Sequence, residues 1–249
     1  MQNRGPAAYM AEFIGTFALV FLVTAASSLY VVQPTDLNPE PFIDYGVIGL
    51  VHVFALFFLI QTLAVVSGAH FNPAVTLALT VIRQIKASDA LIYVLVQLAG
   101  GLAGALLTKA LLLDEGRAGD YGATLISGRL SEAVLAGMVV ELLGAFFLVW
   151  AIVGVAVNPS GLKDWSGLVI GGTLGLLVMV LGPLSGGSFN PVRAFGPALV
   201  SGNFGAGGGE FVLVYVLAPA LGAVIAAILY SYVLMLPGKK GVGGAEPVG

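Results

Sequence analysis

The sequence predicts an all-α membrane protein: six transmembrane helices plus two re-entrant half-helices, arranged as an inverted repeat. Three observations carry that prediction. The 249-residue chain is 58% hydrophobic and only 9% charged, where soluble domains carry about 25% charge. Six apolar stretches reach the roughly 20 residues needed to cross a 30 Å hydrocarbon core. Three short blocks recur in the same order in the two halves.

Composition also excludes several classes. With 10 basic and 13 acidic residues and net charge −3, no basic surface exists to neutralise phosphates, so nucleic acid is not a main partner. Cys is absent, which removes disulfides, thiolate metal sites and redox thiols. The shortage of charge runs along the whole chain, so a soluble domain on a single anchor is excluded. Gly numbers 35, about twice its usual share of roughly 7%, as suits closely packed membrane helices.

The elements follow in order. The first span, about 8–32, competes with a secretory signal peptide cleaved near Ala25-Ala26-Ser27. Glu12 lies inside it and the run is long for a signal core, so the span is favoured. The second span is about 45–67. A piece at about 72–82 begins Asn72-Pro73 and is too short to cross. Spans three and four are about 90–113 and 131–156. The fifth, about 165–182, is short and Gly-rich. A second short piece, about 190–201, begins Asn190-Pro191, and the sixth span is about 210–236. Short apolar pieces of this kind are re-entrant or interfacial. Residues 237–249, with Lys239 and Lys240 among glycines, read as a flexible C-terminal tail.

With the N-terminus inside, Arg4, Arg83, Lys86, Lys163, Lys239 and Lys240 fall on the inner side, in the sense of the positive-inside rule. Lys109, Arg117 and Arg129 remain outside, with the acids Asp36, Glu40, Asp44, Asp114, Glu115 and Asp120 in outer loops.

The repeat is explicit. EFIGTFALVF at 12–21 aligns with ELLGAFFLVW at 141–150, pairing Glu12 with Glu141 and Gly15 with Gly144. SGAHFNP at 67–73 aligns with SGGSFNP at 185–191, and Gln97 and Gly100 answer Pro219 and Gly222. The repeats span about 8–113 and 131–236. Each holds three spans, an odd number, so the second enters the membrane from the opposite face.

Asn-Pro starts a helix for a physical reason. Pro at the first helical position gives up no hydrogen bond, and the preceding Asn caps free N–H groups. The loops before the caps, 67–71 and 185–189, are non-helical, and such backbone survives at membrane depth only when buried or lining water. Their carbonyls, at Gly68, Ala69 and His70 and at Gly186, Gly187 and Ser188, are expected to line a pore. The two helix N-termini should face each other near the midplane, each with about half a positive charge. Asn72 and Asn190 can cap and still offer an N–H to a passing oxygen. Such a site suits neutral hydrogen-bonding solutes and opposes cations.

These residues resemble the aquaporins, the major intrinsic protein family, from about Ala11 to Leu236, on the motifs AEFIGTF, SGAHFNPAVT and SGGSFNPVRAFGPAL. The resemblance implies a single channel domain over 1–249. Its central boxes would be Asn72-Pro73-Ala74 and Asn190-Pro191-Val192, with Val192 a departure from the usual Ala that bears on pore width. It also implies an outer selectivity filter of His52, Val178, Gly187 and Arg193. His52 departs from the family's usual Phe or Trp, and its rival role is a helix histidine bonded to a neighbouring carbonyl. Arg193 has a rival role as an interfacial, snorkelling side chain. Val178 and Gly187 suggest a wider, less polar ring than a strict water filter, while Ala194 lacks the Asp of many glycerol channels. A homotetramer is likewise implied by resemblance; the expected setting is the lipid bilayer of the plasma membrane, with both termini cytoplasmic by the charge bias.

Glu12 and Glu141 are the carboxylates deep in the helical runs. They read as acceptors for loop N–H groups, with a proton relay as the alternative. His70 has no second ligand nearby, so no metal is expected, and no cofactor. The function expected is passive conduction of water and small neutral solutes such as glycerol, excluding ions and protons. The alternative is a proton-coupled transporter of a small solute using Glu12 and Glu141. With two His and no Cys, enzyme chemistry lacks a nucleophile–base pair or metal centre.

Overall fold

A computed structural model describes residues 5–32 and 42–235. Arg4, Asp36, Glu40, Lys239, Lys240 and the tail expected at 237–249 lie outside the described residues.

Helix α1 spans Pro6–Leu29, with Pro6 in its first turn. It ends short of the expected residue 32, because the β-branched pair Val31–Val32 (β1) is extended and pairs antiparallel with Phe42–Ile43 (β2). Helix α2, Tyr45–Ser67, is capped by Asp44, whose Oδ1 accepts from the amides of Gly46 and Val47 at 2.9 and 3.2 Å. The half-helix α3, Pro73–Val81, follows, and then α4, Ala87–Leu111. The connection from α4 to the second half holds the short helix α5, Leu113–Arg117, and a turn at Asp120–Gly122.

The second half repeats the plan. Helix α6, Val134–Ile152, continues through a π-helical turn to Val157. Helix α7, Ser166–Ser185, extends three residues beyond the expected span. The second half-helix α8 is Pro191–Ser201. The last span, Gly208–Leu234, comprises α9 (Gly208–Phe211), a π-helical turn, and α10 (Ala218–Leu229) followed by a second such turn. Among the described residues six helices are long and apolar enough to cross a membrane.

Polarity is inverted relative to a soluble protein. Leu91, Leu135, Leu176 and Phe54 are exposed on the outside, a surface that lipid rather than water would cover. Glu12, Gln97, Glu141, Asn72, Asn190 and Arg193 are buried inside. The helix crossings depend on small residues at matched positions. Gly100 of α4 lies on the carbonyl of Phe13 in α1, and Gly222 of α10 lies on the carbonyl of Leu142 in α6, each leaving no room for a Cβ. Phe13 and Leu142 directly follow the paired glutamates, so these contacts fix the carboxylates against the loops beside them.

Candidate functional site

The two re-entrant loops share one unusual backbone. Gly68, Ala69 and Phe71 have φ of 91°, 52° and 47°, and Gly186, Gly187 and Phe189 have 82°, 61° and 51°. Left-handed backbone costs a non-glycine residue about 1–2 kcal/mol, so Ala69, Phe71 and Phe189 must be held by their surroundings.

The glutamates do the holding. Glu12 Oε1 accepts from Ser67 Oγ at 2.6 Å and the His70 amide at 2.9 Å. Its Oε2 accepts from the Phe71 amide and Gln97 Nε2, both at 2.8 Å. Glu141 does the same in the other half: Oε1 takes Ser185 Oγ at 2.6 Å and the Ser188 amide at 3.0 Å, and Oε2 takes the Phe189 amide at 2.6 Å. Pro219 stands where Gln97 would be matched, so Glu141 has one donor fewer. Each phenylalanine ring then covers a glycine on the glutamate's own helix, Phe71 on Gly15 and Phe189 on Gly144. Two tyrosines complete the pattern. Tyr93 donates to the Ser67 carbonyl at 2.7 Å, and Tyr215 to the Ser185 carbonyl at 2.9 Å. Sequence reasoning missed them, although Tyr93 and Tyr215 stand four residues before Gln97 and Pro219 and so obey the same repeat.

The caps form as expected and add a cross-link. Asn72 Oδ1 accepts from the Ala74 amide at 2.8 Å, and Asn190 Oδ1 from the Val192 amide at 3.1 Å. Asn72 Nδ2 donates to the Phe189 carbonyl and Asn190 Nδ2 to the Phe71 carbonyl, both at 2.9 Å. Each half-helix thus stitches itself to the opposite loop. Each amide keeps a second N–H, and both Asn side chains line a cavity of about 80 Å³.

That cavity is long and narrow. Its lining runs along α2 from His52 to Ala64, about 18 Å at 1.5 Å per residue. Its volume holds a handful of waters, each needing about 10–15 Å³. Leu56, Ile60, Leu148, Ile152, Ile170 and Leu174 make most of the wall apolar. The polar stripe is Gly68, Ala69, His70 and Ser188 with the two asparagines, Ser166 adds a hydroxyl, and no carboxylate among the described residues lines the cavity.

Arg193 and His52 stand in the same lining. Arg193 is 4% exposed, donates from Nη1 to the Gly122 carbonyl at 2.9 Å, and has a buried Nε with no protein partner. It is therefore not a snorkelling side chain. His52 Nδ1 lies 2.8 Å from the Ile48 carbonyl. A carbonyl only accepts, so that geometry assigns the proton to Nδ1, and Nε2, buried and unpartnered, is left as an acceptor. The rival role weighed for His52, a helix histidine bonded to a neighbouring carbonyl, fits Nδ1, and Nε2 stays unpartnered.

Val178, Gly186 and Gly187 are buried but outside this cavity's lining. Gly187 sits against α7, where a Cβ would lie 3.0 Å from Gly182 Cα and 3.6 Å from Val178 Cα. Val192 points away from the cavity: its Cγ1 occupies the space that a Cβ on Gly101 would fill. The extra bulk in the second box is absorbed by α4. Pro73, Ala74 and Pro191 sit at the half-helix starts. His70 Nδ1 lies 3.1 Å from Thr76 Oγ1, with its ring edge-on to Tyr93. No group of metal-ligating side chains occurs among the described residues.

Six spans with two capped half-helices and a polar stripe along an otherwise apolar cavity define a membrane channel. Residues 4–230 match the family described as Major intrinsic protein, and the chain belongs to that family, whose members are channels rather than enzymes. It is 37% identical over 221 residues to Glycerol uptake facilitator protein-like 6 of Lactiplantibacillus plantarum, covering 88% of this chain and 94% of that one. It is 34% identical over 238 residues to Aquaporin AqpM of Methanothermobacter marburgensis, covering 90% and 95%. Its fold is that of the aquaglyceroporin from Plasmodium falciparum, with a TM-score of 0.75 and 23% identity over 92% of this chain and 96% of that one.

Proposed function

We propose that this chain conducts water and small neutral solutes of about glycerol size down their gradients, in single file along the polar stripe. The observation that carries the reading is the pair of cross-linked caps. Asn72 and Asn190 hold opposed half-helices rigidly and each present one N–H to the cavity. A solute oxygen is received by those donors, while two positive helix ends oppose a cation. Relatives named as a glycerol uptake facilitator-like protein and as an aquaporin support both solutes.

Arg193 and His52 act as the selecting pair, one offering donors and the other an acceptor, with Val178 and Gly187 backing the ring from outside the lining. The carbonyls at Gly68, Ala69 and His70 and at Ser188 form the ladders on either side of the boxes, with Gly186 and Gly187 leading into the second from outside the lining. The proton-coupled alternative is not supported: both glutamates are wholly buried, occupied by loop donors and absent from the cavity lining. Replacing Arg193 by Ala should raise glycerol permeability relative to water in proteoliposomes. An unchanged ratio would sink the filter assignment.

The protein is proposed to lie in the plasma membrane as a homotetramer, its exposed apolar helix faces serving as subunit and lipid contacts. Both termini are placed inside, by the charge bias of Arg83, Lys86 and Lys163. A cysteine introduced at Lys163, in a chain with no other Cys, should react with impermeant reagents from the cytoplasmic side alone. Labelling from outside would reverse the orientation.

A further inference from the structure

The connection between α4 and α6 holds a turn that conduction leaves without a task. Asp120, Tyr121 and Gly122 take successive left-handed conformations, with φ of 48°, 51° and 78°. Two are not glycine, and such backbone persists only where its surroundings over-determine it. Two ties lead from this turn to α8 or the segment just past it, and Tyr121 adds one to Lys109, which itself bonds α8. The Gly122 carbonyl accepts from Arg193 Nη1 at 2.9 Å. The Tyr121 ring lies under the Lys109 ammonium, 5.3 Å from its centroid, and its hydroxyl donates to the Leu113 carbonyl at 3.0 Å. Lys109 Nζ also donates to the Val200 carbonyl at 2.8 Å. That carbonyl belongs to the last turn of α8, where a cation meets the negative end of the helix dipole. Asp120 Oδ2 accepts from Asn203 Nδ2, just past the end of α8, at 2.9 Å.

The turn thus brackets α8, gripping its C-terminal end through Lys109 and Asn203 and its buried guanidinium through Gly122. Among the described residues, the Gly122 carbonyl is the single protein hydrogen-bond partner of the Arg193 side chain. The turn therefore supplies the hydrogen bond that orients the guanidinium within its buried setting. The same contacts explain why Lys109 sits on the outer side against the charge bias.

We propose that Lys109 and Tyr121 are positioning residues for Arg193. By fixing the Asp120–Gly122 turn relative to α8, they set where the guanidinium stands and so help determine solute selectivity. The proposal rests on the reading of Arg193 as the selecting side chain.

The test is the glycerol-to-water permeability ratio of proteoliposomes carrying Lys109→Met, Tyr121→Leu, Lys109→Arg, Arg193→Ala, or Arg193→Ala combined with Lys109→Met. The ratio does not depend on how much folded protein each preparation holds, so a merely structural role leaves it unmoved. Lys109→Met and Tyr121→Leu should each change the ratio about two- to tenfold, the range covered by one hydrogen bond. Lys109→Arg should return it towards the parent value, and Lys109→Met should add nothing once Arg193 is gone. A changed ratio in Arg193→Ala with an unchanged one in both Lys109→Met and Tyr121→Leu overturns the bracket alone. So does an equal effect of Lys109→Met with and without Arg193. An unchanged ratio in Arg193→Ala overturns the filter and the bracket together.

Discussion

Replacing Glu12 by Gln removes one acceptor oxygen and changes little in size. The His70 amide bonds Oε1 and the Phe71 amide bonds Oε2, so a carboxamide can satisfy one of them and must turn its NH₂ on the other. An orphaned buried donor costs about 1–3 kcal/mol, and each remaining bond loses about 1 kcal/mol with its charge assistance. With four bonds at Glu12 and three at Glu141, the losses come to about 4–6 and 3–5 kcal/mol respectively. Thermal unfolding of each detergent-purified variant, followed by intrinsic fluorescence, reads this directly. Both Glu12→Gln and Glu141→Gln should melt well below the parent, and water flux should fall whether or not a proton gradient is imposed. An unshifted melting temperature would refute the anchoring argument. A flux lost only under a proton gradient would restore the relay in its place.

Three further outcomes concern the second box and the absence of thiols. Because Val192 faces Gly101 rather than the cavity, Val192→Ala should lower stability by about 1–3 kcal/mol through an unfilled void while leaving the glycerol-to-water ratio unchanged. Gly101→Ala should destabilise alone and be rescued by Val192→Ala, and a ratio that rises in Val192→Ala would contradict this packing. Since the chain has no Cys, mercurials should not block flux by a thiol-reversible route; block relieved by a reducing agent would count against it.

Much of this was legible in the sequence because the repeat is local and chemical. Span lengths follow from apolar runs, the half-helices from Asn-Pro, and the anchoring role of Glu12 and Glu141 from their matched places in otherwise apolar helices. Boundaries moved by a few residues where backbone geometry decided, as at Val31 and Val32, whose strand pairing cuts α1 short. Contacts between distant segments were not legible. Nothing local announces that Asn72 and Asn190 bond the opposite loops, that Gly101 makes room for Val192, or that Gly122 holds Arg193. Each arises only when segments separated by 71 to 119 residues meet. Tyr93 and Tyr215 are an intermediate case, visible once the repeat offset is applied to every residue rather than to the conspicuous motifs.

The most direct test of the channel is stopped-flow light scattering of proteoliposomes under a sucrose gradient and then a glycerol gradient. Shrinkage in sucrose well above that of empty liposomes, followed in glycerol by reswelling that is also accelerated, is the expected result. Rates equal to those of empty liposomes in both gradients would contradict a conducting pore between Asn72 and Asn190.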